Sequence, residues 1–207
     1  MKKKQLLMFA MLFATTLIST IASAKGGGDG SFDKGTISVT AGYGYGLAGS
    51  LFSAYDSYSD YTFSKLGPIT ARIEYGVSKK IGLGLSVNYS SYNVEWKQPG
   101  VYPSPSTTLY KAGFKGVGYS ALLRMNLHFA NGEKIDPYWG FGLGYRGGSY
   151  TFSSDDSHAL NQSVKTLIPV GFETTIGLRY YFTPNIGAYA EVGLGKALAQ
   201  VGVAFKF

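Results

Sequence analysis

The chain contains no cysteine and only 2 histidines, and charged residues make up 15% of it. The lack of cysteine excludes a disulfide framework, a thiolate metal site and a lipid-modified N-terminal cysteine. The net charge is +7, from 19 Lys and Arg residues against 12 acidic residues. Without Lys2, Lys3 and Lys4, which lie in the N-terminal segment that is predicted below to be cleaved, 16 basic residues remain and the net charge is +4. That excess is too small to indicate nucleic-acid binding. We expect no cofactor and no metal site.

Long apolar runs are also absent, apart from one at the N-terminus. Residues Leu6 to Ile18 follow the three lysines and precede Ala22-Ser23-Ala24. A basic, apolar and small-residue order is typical of a cleaved signal peptide, and the run is short for a helix that must span about 20 residues of bilayer. We predict a signal peptide over 1–24, a flexible Gly-rich leader over 25–34 and one domain over 35–207.

Glycine and tyrosine are abundant instead, with 29 and 17 residues. Apolar and polar residues alternate in eight segments separated by turn signals, which indicates β-strands. These segments cover about residues 37–45, 69–77, 81–89, 117–129, 139–145, 170–182, 186–194 and 199–207. The chain is therefore predicted to be all-β.

The connections between these segments alternate in length. Long ones cover about 47–66, 93–115 and 150–165, and short ones lie near 78–80, 130–136 and 183–185. Membrane barrels have brief periplasmic turns and longer outer loops. The alternation predicts that both termini are periplasmic and that the long loops face outward.

The two faces of the strands differ in charge. One face has no charged residue over all eight segments, and its Tyr and Phe residues lie near segment ends, as interfacial aromatic girdles do. The other face is mostly Gly, Ser and Thr, which cannot form the hydrophobic core of a soluble barrel. Its charged residues are Arg72, Glu74, Arg124, Arg146, Glu173, Arg179 and Glu191. This pattern predicts a transmembrane eight-stranded antiparallel up-and-down barrel with a polar lumen.

The chain resembles the eight-stranded OmpA/OmpX-type outer-membrane barrels over residues 35–207. The stretches that carry this resemblance are Asp136 to Tyr145, Gly177 to Phe182, Ala190 to Gly195 and the terminal strand that ends in Phe205-Lys206-Phe207. The resemblance implies a bacterial outer-membrane location and an assembly signal at Phe205 and Phe207. It also implies lipid and lipopolysaccharide as surroundings and the barrel-assembly machinery as a partner during biogenesis. We expect a monomer.

Lone charges in a narrow lumen are strongly disfavoured, so the seven inward charged residues are predicted to pair. Glu173 and Glu191 lie on adjacent segments and are the expected acceptors for the arginines. We predict an interlocked Arg–Glu network that plugs the barrel and has a structural role.

Catalytic residues are not expected. Some barrels of this fold are lipid A deacylases, in which a strand carries His and Ser two residues apart. Here His128 is followed two residues later by Ala130. His158 lies beside Asp155, Asp156 and Ser157, but neighbouring loop residues do not converge as a triad does. We interpret His128 as a lumen residue and His158 as a loop residue.

The outer loops are the remaining place for function. The first contains Phe52, Tyr55, Tyr58 and Tyr61, which are candidates for a binding surface because tyrosine combines apolar area with a polar tip. The alternative is that these rings pack in a hairpin that extends the strands. The favoured function is a non-enzymatic surface barrel that contributes to envelope integrity or binds through its loops. An outer-leaflet lipid-modifying enzyme and a small-solute channel remain as alternatives.

Overall fold

The computed structural model describes residues 30–46, 59–100, 108–130 and 132–207. Nine strands are found in these ranges, and the described residues contain no helix that is long and apolar enough to cross a membrane. The predicted signal peptide, Phe52, Tyr55 and Tyr58 lie outside the described residues. The strands are β1 Ile37–Tyr45, β2 Ser59–Gly76, β3 Ile81–Pro99, β4 Leu109–His128, β5 Ile135–Ser154, β6 Gln162–Lys165, β7 Val170–Tyr181, β8 Ile186–Leu194 and β9 Ala199–Lys206.

Eight of these strands form a closed antiparallel barrel. Each strand pairs with the next around the ring in the order β1, β2, β3, β4, β5, β7, β8 and β9, and β9 pairs with β1 to close it. The short β6 pairs with the distal part of β5, beyond the residues that pair with β7, and there Ser149 pairs with Lys165. The predicted eight-stranded up-and-down barrel is therefore confirmed, because the alternating segments pair in sequence order.

The exterior of the barrel is apolar. Leu123, Phe172 and Val201 expose 71%, 63% and 63% of their surface, while the residues beside them in sequence on the inner face, Arg124, Glu173 and Gln200, are buried. This arrangement is the reverse of a soluble barrel and matches a wall that faces hydrocarbon. The alternation predicted from the sequence thus assigns these residues correctly to the outer and inner faces of the barrel wall.

The strands are longer than the sequence indicated at one end of the barrel. β2, β3, β4 and β5 continue into the segments predicted as long loops, and their pairing extends to Lys97 with Ser59 and to Pro99 with Leu109. We call this the distal end, and the opposite end, which carries both ends of the barrel sequence, the terminal end.

An apolar core stabilises the distal extension. Val94, Trp96 and Ala112 are buried, and Tyr61, Phe63, Phe114 and Phe152 pack against them. Tyr61, a candidate binding residue, is therefore part of a hairpin core, which was the alternative interpretation. The reason is that alternation continues past the predicted strand ends, so aromatic residues on four strands meet above the polar lumen.

A register shift in β2 brings Tyr61, Phe63 and Lys65 to the inner side of the barrel wall. The pairing of β2 with β3 is irregular between Leu66 and Ile69, where Gly67 has a φ of 85° and Pro68 follows. A β-bulge adds one residue to a strand and so reverses its alternation. Arg72 and Glu74 point inward below the bulge, whereas Phe63 packs on the distal core and Lys65 lines a cavity at the distal mouth.

The segment before β1 packs against the terminal end. Phe32 is fully buried, and its ring lies parallel to that of His128 with the ring centroids 3.5 Å apart. The Ser31 amide donates to the carbonyl of Gly132 at 2.7 Å, and Lys206 Nζ donates to the carbonyl of Gly30 at 2.9 Å. The sequence predicted a flexible leader over 25–34. Over 30–34 the structure instead places the chain across the barrel end, where the buried Phe32 ring stacks on the imidazole of His128.

Candidate functional site

The lumen contains two linked clusters of charged side chains. The upper cluster, nearer the distal end, consists of Arg72, Arg124, Glu173 and Glu191. The lower cluster, nearer the terminal end, consists of Glu74, His128, Asp136 and Arg179. All eight side chains are buried, with residue exposures of 8% or less.

Glu191 is the hub of the upper cluster. One carboxylate oxygen accepts from Arg72 Nη1 at 2.8 Å, and the other accepts from Arg124 Nη2 at 2.8 Å and from the Tyr138 hydroxyl at 2.6 Å. Gln200 Nε2 also donates to Glu191. The carboxylate therefore receives four donors, which saturates its lone pairs in the way that a buried anion requires.

Glu173 completes the upper cluster. Its Oε1 lies 2.5 Å from Arg124 Nη1 and 3.9 Å from Arg72 Nη2. Two guanidinium groups thus share two carboxylates. The remaining Arg124 donors reach Thr175 Oγ1 at 2.7 Å and Asn126 Oδ1 at 2.8 Å.

The lower cluster includes two residues that were not among the predicted network. Arg179 donates to Glu74 and, at 3.2 Å, to Asp136 Oδ2. His128 Nδ1 lies 2.5 Å from Asp136 Oδ1, and its Nε2 lies 2.9 Å from Glu74 Oε1. Ionised carboxylates only accept hydrogen bonds, so an imidazole protonated on both nitrogens, which is cationic, satisfies both contacts.

These contacts make the lumen electrically balanced. Three arginines and the His128 imidazolium face four carboxylates. Asp136 was missed because the fifth segment was started at Trp139, although Asp136 shares the inward parity of Gly140 and Gly142. His128 lies in the lumen as interpreted, and its role is to bridge two carboxylates.

Glycines on the wall make room for the charged groups. A Cβ atom on Gly82 would lie 1.8 Å from Glu74 Oε1, and one on Gly140 would lie 2.0 Å from Arg124 Nη2. Two cavities beside the clusters have volumes of only about 10 Å³ each. A space of that size holds about one water molecule, so the side chains fill the lumen.

Arg146 does not belong to this network. Arg146 lies on the inward face of β5, but it is exposed at the distal end of the barrel and lines a cavity of about 270 Å³. Arg146 was predicted to join the network because strand parity gives the side of the wall on which a residue lies, but not its position along the barrel axis.

We call this space the distal cavity, and it is bounded by Lys65, Arg146, Lys196 and the rings of Tyr92 and Tyr150. Burial, reinforced by repulsion from Arg146, lowers the pKa of Lys196 to about 8. Burial, with a smaller effect from Tyr150, raises the pKa of Tyr92 to about 12, so this tyrosine stays neutral at physiological pH.

His158 lies in the connection between β5 and β6. Its Nδ1 is 3.4 Å from Asp156 Oδ1 and 3.4 Å from Ser157 Oγ. A Ser-His-Asp triad uses one ring nitrogen for the nucleophile and the other for the acid. Here both neighbours approach the same nitrogen, so the arrangement is that of a capped turn.

The remaining predicted site residues lie at the terminal end. Phe205 pairs with Val39 and Ile186, and Phe207 exchanges two backbone hydrogen bonds of 2.9 Å with Ile37. The C-terminal strand thus closes the seam of the barrel. Its role as an assembly signal stays a prediction.

No protein-family model matches the chain, and no curated protein matches it either. Among solved structures it is similar to the N-terminal barrel of Pseudomonas aeruginosa OprF, with 18% identity and a TM-score of 0.44 over 84% of this chain and 99% of that one. It is also similar to Yersinia pestis Ail, solved in complex with the heparin analogue sucrose octasulfate. The identity is 17% and the TM-score is 0.46 over 84% of this chain and 99% of that chain.

Pseudomonas aeruginosa OprG gives 14% identity and a TM-score of 0.41 over 86% of this chain and 98% of that chain. The strand pairing of the chain itself defines its architecture. The chain is a closed eight-stranded antiparallel up-and-down β-barrel, the architecture of OmpA/OmpX-type outer-membrane barrels.

Proposed function

We propose that the protein is a monomeric, non-enzymatic barrel of the bacterial outer membrane. It is exported by the predicted signal peptide, and its terminal end faces the periplasm. The observation that carries this proposal is the filled, charge-balanced lumen inside an uncharged apolar wall. Such a wall requires lipid around it, and such a lumen serves neither transport nor catalysis.

The sealed lumen argues against a channel for small solutes. An eight-stranded barrel has an interior just wide enough for side chains to fill, and here two guanidinium–carboxylate clusters cross it. Phe32 adds a further obstruction at the terminal end. Passage of a solute would require several buried ion pairs to separate at once, which is costly because each charge would lose its partner.

A role at the cell surface follows from the distal extension. Strands β2, β3, β4 and β5 extend beyond the polar lumen and share an apolar core there. A rigid extension of this kind stabilises the envelope surface and presents side chains for binding. Lipid and lipopolysaccharide are the proposed surroundings, and the barrel-assembly machinery is the proposed partner during biogenesis.

Planar-bilayer recording tests the sealed lumen. The purified barrel is expected to give no steady conductance. As a positive control, a variant in which Arg72, Arg124 and Glu191 are all replaced by Ser should open a path, because the hub and both of its arginine partners are removed. Stable, reproducible channels from the unaltered protein would contradict the proposal and favour the channel alternative.

A further inference from the structure

The distal cavity is lined by positively charged residues, and none of the described residues around it is acidic. Lys65, Arg146 and Lys196 line it together. Within the described ranges, neither Arg146 nor Lys196 lies at ion-pair distance from a carboxylate, whereas the exposed Lys97 and Lys111 pair with Asp60 at 2.6 Å and with Glu95 at 2.8 Å. Lys97 and Lys111 on the outside of the barrel are therefore paired, whereas Arg146 and Lys196 at the cavity have no carboxylate partner in the part of the chain that the structure describes.

The lumen below does not supply the missing negative charge. Lys196 also borders the small cavity that contains Glu173 and Glu191. Both of these carboxylates are already engaged by Arg72 and Arg124. Because the lumen is balanced without Lys196, this ammonium group adds an uncompensated charge to the floor of the cavity.

The lack of a side chain at Gly118 leaves room for the ammonium group of Lys196. A Cβ atom on Gly118 would lie 2.4 Å from Lys196 Nζ, so any other residue would displace the ammonium group. Lys65 is placed by the bulge at Gly67 and Pro68, and its Nζ lies 5.2 Å from the centre of the Tyr45 ring.

Aromatic rings also line the cavity, beside small residues such as Ser90 and Ser91. The rings of Tyr92 and Tyr150 lie 6.4 Å apart, and both border the cavity together with Phe63. Tyrosine offers a flat apolar face with a polar tip, which suits the face of a sugar ring. The volume of about 270 Å³ is just below the range of about 300–1,000 Å³ found for drug-sized ligands, so the cavity fits one small ring with a charged substituent.

We propose that the distal cavity binds a sugar phosphate, with Lys65, Arg146 and Lys196 around the phosphate and Tyr92 and Tyr150 against the sugar. Guanidinium and ammonium groups are the usual protein partners of phosphate. The proposal goes beyond the surface-barrel function and does not depend on whether the lumen conducts.

Isothermal titration calorimetry of the barrel in a non-ionic detergent tests this site. Glucose 6-phosphate is expected to bind at one site per chain, glucose not to bind, and inorganic phosphate to bind more weakly. The variant Arg146→Gln/Lys196→Gln should lose about tenfold or more in affinity, because two charged hydrogen-bond donors are removed.

The matched control is Lys97→Gln/Lys111→Gln, which removes the same total charge from the distal end outside the cavity. It should keep the affinity of the unaltered protein. No binding of glucose 6-phosphate, equal binding of inorganic phosphate, or an equal loss in the control variant would each overturn the proposal. The circular dichroism spectrum and heat-dependent mobility of each variant show whether the barrel has folded.

The sugar phosphate has two conceivable sources, which are a free metabolite and the phosphorylated sugars of a surface glycolipid. Titration with a lipid-free phosphorylated core oligosaccharide, in parallel with glucose 6-phosphate, separates them. Tighter binding of the oligosaccharide assigns the glycolipid, and tighter binding of glucose 6-phosphate assigns the free metabolite. Absence of binding by both overturns the proposal.

Discussion

Replacement of the hub carboxylate of the lumen, Glu191→Gln, is expected to destabilise the barrel strongly. Arg72 and Arg124 would then share Glu173 alone, so one buried positive charge would be left without a partner. The new amide group would also direct a donor toward groups that already donate. Breaking one side of a buried ion pair costs about 3–5 kcal/mol.

Urea unfolding of the folded barrel in lipid vesicles, followed by tryptophan fluorescence, measures this cost. With an m-value of about 2 kcal/mol/M, the midpoint should fall by about 2 M. The same chemical change at an exposed pair, Glu95→Gln opposite Lys111, should leave the midpoint nearly unchanged, because water screens that pair.

A double variant distinguishes pairing from simple loss of packing. Glu191→Gln/Arg72→Gln removes both charges, so it should be more stable than Glu191→Gln alone. An unchanged midpoint for Glu191→Gln, or a double variant that loses the sum of two single effects, would refute the network as an electrostatic unit.

Four further outcomes are expected. A cysteine at Ser163 should react with an impermeant maleimide on intact cells and one at Lys79 should not, since these exposed residues lie at opposite ends; the reverse labelling would refute the topology. Deletion of Phe207 should lower the folded yield in cells, because it removes the two hydrogen bonds to Ile37, and a normal yield would contradict this. Gly84→Ala, whose Cβ would lie 1.9 Å from the carbonyl oxygen of Ile73, should cost about 1–3 kcal/mol in urea unfolding, whereas Gly46→Ala, at 3.4 Å from its nearest neighbour, should not. Affinity for glucose 6-phosphate should fall from pH 7 to pH 9, since Lys196 with a pKa of about 8 loses its charge over that interval, and a Lys196→Arg variant should show no such fall.

Much of the barrel could be predicted from the alternation of apolar and polar residues, because each strand has one apolar outer face and one polar inner face. The inward parity of Arg72, Arg124 and Glu191 follows directly from counting residues along the strands. The position of a residue along the barrel axis does not follow from this parity. Arg146 has the same parity but lies at the distal mouth, and its place between the fifth predicted segment, 139–145, and the long connection 150–165 was a signal of that position.

Two other features depend on contacts between distant segments. The bulge at Gly67-Pro68 reverses the alternation of β2, so Lys65 and Phe63 were not expected on the inner side. Phe32 lies in a Gly-rich stretch without strand pattern, and it stacks on the ring of His128, which is distant in the sequence. A glycine followed by proline inside a strand segment is a signal that could have indicated the bulge.

The ion pairs of the lumen have a consequence for the order of assembly. Arg72 and Glu74 on β2 pair with β8 and β7, and Arg124 on β4 pairs with the same two late strands. None of these strand pairs is adjacent in the ring, so early hairpins cannot neutralise Arg72, Glu74 or Arg124, although His128 and Asp136 on the adjacent β4 and β5 can pair. A partly built sheet must keep these groups in water until β7 and β8 have joined it. Neutralisation therefore accompanies closure of the seam between β1 and β9, which makes the transfer of the wall into lipid a late and cooperative step.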